Sequence, residues 1–265
     1  MIIVIAGKGG VGKTMVSSLL VRCIAELKKD AKILAIDADP ATNLADALGI
    51  KALMSIGEII ENFNVENSKN INFLDYLRQK ISENTTHTEK SDFIEMGQGE
   101  GVGCYCSVND VLRFVLEEKQ KNYKFVIVDC AAGLEHLSRK TTTGADVLLI
   151  VTDTSEAGFR SAETIKKIAV HAGVEEDSMF LVVNKVKEAR EVRKVNTGSE
   201  KTEKVKTGSE ILNEKIANTK ILEICRIPYD EKVIVYNNSG TPLINIPSNS
   251  KTYPRIKELA EFLAG

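Results

Sequence analysis

Gly7-Lys8-Gly9-Gly10-Val11-Gly12-Lys13-Thr14 is the stretch on which the reading turns. It follows an apolar run, Ile2–Ala6, and precedes Val16, Leu19, Leu20, Cys23, Ile24 and Leu27, which recur at helical spacing. The local plan is therefore strand, glycine loop, helix. The octet satisfies two patterns. Gly7, Gly9 and Gly12 match the dinucleotide fingerprint G-x-G-x-x-G, with Asp37 placed to act as its ribose-binding acid. Gly7, Gly12, Lys13 and Thr14 match G-x-x-x-x-G-K-[ST], the P-loop. The Lys-Thr pair decides between them, because a dinucleotide has no use for it and a nucleoside triphosphate needs both groups. Glycines let backbone N–H groups converge on phosphates. Lys13 then reaches the β- and γ-phosphates, Thr14 offers its hydroxyl to Mg²⁺, and the helix presents its positive end to the anion.

Working outward, Ile33–Ile36, Phe125–Val128, Val147–Thr152, Phe180–Val183 and Leu222–Ile227 read as further buried strands, nearly continuous in Ile, Val and Leu. Their alternation with helical patterns gives the expected class: α/β, a mostly parallel sheet flanked by helices on both faces. A length of 265 residues leaves one domain or two open at about 150 residues each. The single rhythm favours one P-loop domain over 1–265. Two regions depart from it: a polar loop region, 62–103, ending in alternating glycines, and a charged insertion, 186–210. The insertion holds a short repeat, Lys194-Val-Asn-Thr-Gly-Ser-Glu200 and Lys204-Val-Lys-Thr-Gly-Ser-Glu210. The C-terminal Ile256, Leu259, Ala260 and Leu263 form an amphipathic stripe, read as a core-docked helix.

Composition excludes several classes. Lys and Arg total 35 and Asp and Glu 37, a net charge of -2, which argues against nucleic acid as a main partner. Trp is absent and aromatics are 5%, so no base-stacking platform is advertised. No apolar run approaches the ~18 residues of a membrane helix, and the chain opens on a strand rather than a secretory signal. The expectation is a cytoplasmic protein with neither membrane nor nucleic-acid partner. Five cysteines, odd in number, argue against a disulfide framework.

Phe125-Val-Ile-Val-Asp129 is a strand ending in a carboxylate, the arrangement that aims Asp129 at a Mg²⁺ shell. Gly133 stands where a backbone N–H meets a γ-phosphate. Asp39-Pro40 also suits a helix N-cap before Ala41–Leu48. Cys104-Tyr-Cys106 brings two thiols together after the glycine loop. Two thiolates are too few for a stable structural site, which takes four ligands. A two-fold dimer supplies four by bringing two pairs to its axis. Soft sulfur ligands suit Zn²⁺ or Ni²⁺.

With its early lysine, Lys8-Gly-Gly-Val-Gly-Lys-Thr14 resembles the deviant Walker A loop of the MinD-type P-loop ATPases. That resemblance implies ATP/ADP and Mg²⁺ as ligands and a homodimer in which Lys8 reaches the partner's phosphates. It further implies that Asp39 positions the attacking water and that Asp37 holds Mg²⁺ through water. Asn184 would read the adenine edge, and Pro228 would press on the same ring. Within that class, Gly101-Val-Gly-Cys-Tyr-Cys106, Asn109, Leu112-Arg113, Asp129 and Ala132-Gly-Leu-Glu-His-Leu-Ser-Arg139 resemble the nickel-insertion accessory ATPases of carbon monoxide dehydrogenase (CooC type). The implied activity is ATP hydrolysis that drives Ni²⁺, held by Cys104 and Cys106 at a dimer interface, into a client metalloenzyme. Cys130, directly after Asp129, resembles instead the nitrogenase iron protein, in which two cysteines per subunit hold an iron–sulfur cluster. A partitioning ATPase of the MinD or ParA type is the other alternative.

Overall fold

The computed structural model describes residues 1–66, 72–97, 106–119, 121–131, 145–187 and 207–265. Their strands are β1 (Ile2–Gly7), β2 (Ile33–Ala38), β3 (Thr86–His87), β4 (Asp92–Glu95), β5 (Phe125–Cys130), β6 (Val147–Thr152), β7 (Met179–Val186) and β8 (Leu222–Pro228). They form one sheet in the order β3-β4-β2-β5-β1-β6-β7-β8. Every neighbouring pair is parallel except β3 with β4. The six strands expected from apolar runs are all present, as is the α/β class with helices on both faces.

The pleat sorts each strand between two cores. Ile3 and Ile5 of β1 face α1 (Lys13–Leu27) and α9 (Thr252–Ala264), where they join Leu19, Leu20, Ile24, Ile256 and Leu259. Ile2, Val4 and Ala6 face the other way, toward Val115 of α5 (Cys106–Lys119) and Phe159 of α6 (Glu156–His171). A strand whose alternate residues both find a core has no polar face, which is why these strands read as unbroken apolar runs. Ile256, Leu259, Ala260 and Leu263 are all buried in α9, so the C-terminal stripe docks on the core.

Two expectations are corrected. Residues 62–103 are not simply a polar loop region: they contain the end of α3 (Ile56–Glu66), all of α4 (Phe73–Glu83), β3 and β4. β4 pairs with β2 and buries Phe93 and Ile94. The helix expected over Ala41–Leu48 is shorter, α2 (Leu44–Leu48), with Asn43 at its N-cap position. Thr42 has φ 49, in the left-handed region, so the helix cannot extend back through it. Asp39 instead accepts from the Ala41 N–H at 2.9 Å, an Asx turn ahead of the helix.

Most of the 186–210 insertion lies outside the described residues, including the first copy of the repeat. The second copy opens α7 (Gly208–Thr219). Thr207 Oγ1 accepts from the Glu210 N–H and Glu210 Oε2 accepts from the Thr207 N–H, a capping box. The Thr-Gly-Ser-Glu of that copy is thus a helix-start signal.

Candidate active site

In a parallel sheet the carboxyl ends of the strands share one edge, and ligands bind outside it. β1 sits between β5 and β6 and releases the glycine loop there. Asp37 and Asp129 end the neighbouring strands β2 and β5 and are register partners. Asn184 and Pro228 stand at the same edge, toward the ends of β7 and β8. Sequence positions 7–14, 37–39, 129, 184 and 228 therefore converge because of topology alone.

A cavity of about 580 Å³ opens at this edge. Its walls include Gly9, Gly10, Gly12, Lys13, Thr14, Asp39, Asn184 and Pro228, eight of the residues singled out in the sequence. Lys13 is buried, at 6% exposure, yet among the described residues its Nζ makes a single long contact, 3.5 Å to the Lys8 carbonyl. A buried ammonium this weakly held is a ready partner for phosphate oxygens. Lys8 is exposed.

The two strand-end carboxylates differ. Asp37 is fully buried, and its oxygens accept from the Asp39 N–H at 3.0 Å and the Leu44 N–H at 2.8 Å. It ties down the loop that carries Asp39. Burial, partly offset by those two bonds, pushes its carboxyl up to about 7. Asp129 is 1% exposed, and its Oδ1 has no hydrogen-bond partner among the described residues. Burial pushes this carboxyl up to about 6 against the pull of the Thr14 hydroxyl and, after it, the nearby Lys13 ammonium. A buried, unpartnered carboxylate oxygen beside Thr14 and Lys13 has the chemistry of a Mg²⁺-shell acceptor, so the residues fit that ion.

Asn184 is 3% exposed and is engaged with the loop itself. Its Nδ2 donates to the Val11 carbonyl at 2.7 Å, and its Oδ1 accepts from the Lys185 N–H at 2.8 Å. Gly12, at φ 100, packs so closely that a Cβ there would stand 2.3 Å from Asn184 Nδ2.

Sequence reasoning missed the far wall. Val233, Ile234, Tyr236 and Asn237, in α8 (Glu231–Ser239), line the cavity. Asp230 joins two helix starts: Oδ1 accepts from the Lys232 N–H and Oδ2 from the Thr252 N–H, each at 3.0 Å. An Asp directly before Glu231-Lys-Val-Ile-Val is an N-cap signal that would have found this helix. Arg22 of α1 donates to the Ile244 and Ile246 carbonyls at 3.0 and 2.6 Å, tying the segment beside the cavity to the P-loop helix.

Other expectations fall outside the described residues: Cys104, Gly133, and the Ala132–Arg139 stretch with His136. Cys106 is the first residue of α5. Cys130 is 5% exposed at the end of β5. Among the described residues, no group of three or more His, Cys, Asp or Glu side chains is disposed to hold a metal ion.

Comparison with known proteins extends these observations. A family model described as an AAA domain matches residues 1–175. An uncharacterized ATP-binding protein of Methanocaldococcus jannaschii is 38% identical over 98% of this chain and 97% of its own length. The carbon monoxide dehydrogenase accessory protein CooC of Rhodospirillum rubrum is 28% identical over 65% of this chain and 70% of its own length. In three dimensions, the MinD cell division protein of Aquifex aeolicus superposes with a TM-score of 0.69 at 20% identity, covering 100% of this chain and 96% of that one.

Proposed function

The chain belongs to the AAA domain family and is a P-loop ATPase, and on that premise we propose that it spends ATP on metal delivery. Two copies close around ATP, and Cys104 and Cys106 of each hold a single Ni²⁺ or Zn²⁺ ion between them. The cargo then passes to a client metalloenzyme, for which carbon monoxide dehydrogenase is our assignment.

The observation that carries this reading is the Cys104-Tyr-Cys106 motif in a chain that aligns with a CooC protein over 65% of its length. The path of the chain supports it. The backbone leaves β4 at Glu95, on the same sheet edge as the P-loop. Beyond Gly97 it is next described at Cys106, where α5 sets out toward β5. Cys106 therefore opens the helix that follows a strand end at the nucleotide edge. Burial of Cys130 inside β5 favours the adjacent pair over an iron–sulfur cluster shared with Cys130.

The described residues divide the work. The loop N–H groups and buried Lys13 bind the β- and γ-phosphates and stabilise charge as the phosphoryl group transfers. Thr14 and Asp129, with Asp37 behind them, would hold Mg²⁺, which supplies neutralising charge to the phosphates. Asp39, on a half-buried turn braced by Asp37, orients the attacking water. Exposed Lys8 reaches the partner's phosphates. Because closure and metal ligation share one interface, ATP and metal affinities are reciprocally coupled.

Cys104→Ser and Cys106→Ser test this directly, by anaerobic equilibrium dialysis against Ni²⁺ and Zn²⁺ with nucleotide affinity measured in parallel. Metal binding should be lost and ATP binding retained. Stoichiometric metal binding in both variants would overturn the proposal. So would a wild-type protein purified with the visible absorption of an iron–sulfur cluster.

A further inference from the structure

The end of β7 grips the phosphate loop at successive residues, and one of the two side chains that do so has no role in the account above. Asn184 holds the Val11 carbonyl. Lys185, the next residue, extends its exposed side chain back so that Nζ donates to the Gly10 carbonyl at 2.6 Å. Lys185 does this from φ 57, a left-handed conformation that a residue with a Cβ adopts only at an energetic cost. Strain of this kind persists where surrounding contacts over-determine it, and here it sits beside the nucleotide cavity that Lys185 itself lines.

The consequence follows from peptide geometry. No cis peptide bond occurs among the described residues, and in a trans peptide the C=O and the following N–H point in opposite directions. Holding the Gly10 and Val11 carbonyls against β7 turns the Val11 and Gly12 N–H groups away from it, into the loop. The Val11 N–H and the Lys13 ammonium both point at one atom, the Lys8 carbonyl, each at 3.5 Å. Two donors converging at long range on a neutral carbonyl form a concavity suited to a charged phosphate oxygen.

We infer that Lys185 is a positioning residue for the triphosphate: its ammonium fixes the Gly10 carbonyl, and with Asn184 it sets the direction of the loop N–H groups that receive the phosphates. Lys185 acts through the loop and touches neither base nor ribose. The inference rests on the ATPase assignment and is independent of the metal proposal.

The test measures ADP affinity, and pyrophosphate affinity by competition, for Lys185→Met, Lys185→Arg and Lys185→Gly in the full chain. Loss of one charge-assisted hydrogen bond should weaken both ligands about tenfold in Lys185→Met. Lys185→Arg, which keeps a cationic donor, should recover most of the loss. Lys185→Gly removes the backbone strain along with the amine, so it should unfold no earlier than wild type and still bind both ligands as weakly as Lys185→Met. Should Lys185→Met fold poorly, Lys185→Gly carries the test alone. Unchanged affinities overturn the inference, as does a loss confined to ADP, which would place the contact on the nucleoside. A wild-type chain that binds neither ligand would strike at the ATPase assignment instead.

Discussion

Gly12→Ala is the substitution whose cost can be built most completely from the structure. Two terms contribute. The backbone at φ 100 is a conformation that alanine adopts at about 1–2 kcal/mol. The new Cβ would also stand 2.3 Å from Asn184 Nδ2, well inside contact distance. Asn184 cannot swing aside freely, because its amide is held at both ends, by the Val11 carbonyl at 2.7 Å and the Lys185 N–H at 2.8 Å. Giving up those buried bonds costs about 1 kcal/mol each. The sum is roughly 3–4 kcal/mol, which for a chain of this size lowers the melting temperature by roughly 6–16 °C. Gly10→Ala is the control. It shares the left-handed backbone, at φ 79, but its Cβ would meet nothing within 4 Å. It should therefore show the strain term alone, about 1–2 kcal/mol. Urea unfolding of the nucleotide-free chain measures both. In an Asn184→Ala background the added cost of Gly12→Ala should fall to that of Gly10→Ala. Equal costs for the two alanines in the wild-type background would refute the reasoning, as would a Gly12→Ala cost unchanged by removing the Asn184 amide.

Three further outcomes follow. Lys13→Ala should abolish measurable ATP binding by calorimetry, and wild-type affinity in that variant would break the P-loop assignment. Arg22→Met should destabilise the fold by roughly 2–4 kcal/mol in urea, because it strips donors from the Ile244 and Ile246 carbonyls; a change within about 0.5 kcal/mol, the range of an ordinary surface substitution, would show that this tie is dispensable. Burial raises Asp37 to about 7 and Asp129 to about 6 from an ordinary 3.8. Across that window the folded chain keeps protons that the unfolded chain has released, so nucleotide-free stability falls as pH rises through it. The urea midpoint in chelator should be higher at about pH 5 than at about pH 7.5, and the opposite order would contradict the raised carboxyls.

What the sequence disclosed, and what it did not, follows from range. β1, β5 and β6 announce themselves because both faces are covered and all but their last residues are nearly uniformly apolar. β4 stays hidden because it is four residues long and its buried pair, Phe93 and Ile94, is bracketed by Asp92 and Glu95. Short strands toward a sheet edge carry little pattern. The sequence does not show where α2 begins, because Thr42, which interrupts it, carries no sequence mark of a left-handed backbone. At the site, Gly7–Thr14 and Asp129 were legible because each motif is local. Arg22 with Ile246 was not, because 224 positions separate the donor from the carbonyl it reaches. Asn184 was legible as a site residue, but its grip on the Val11 carbonyl depends on how the strand order brings β7 beside the loop.

On the metal-delivery proposal, nucleotide closure and metal capture are one event. Anaerobic titration of Ni²⁺ into the wild-type chain, with MgATP and then with MgADP, tests it most directly, with molecular mass followed by light scattering. Binding should be tighter with ATP, saturate at one ion per two chains, and produce dimers in that state alone. Equal affinity with both nucleotides, on a protein that stays monomeric throughout, would contradict it.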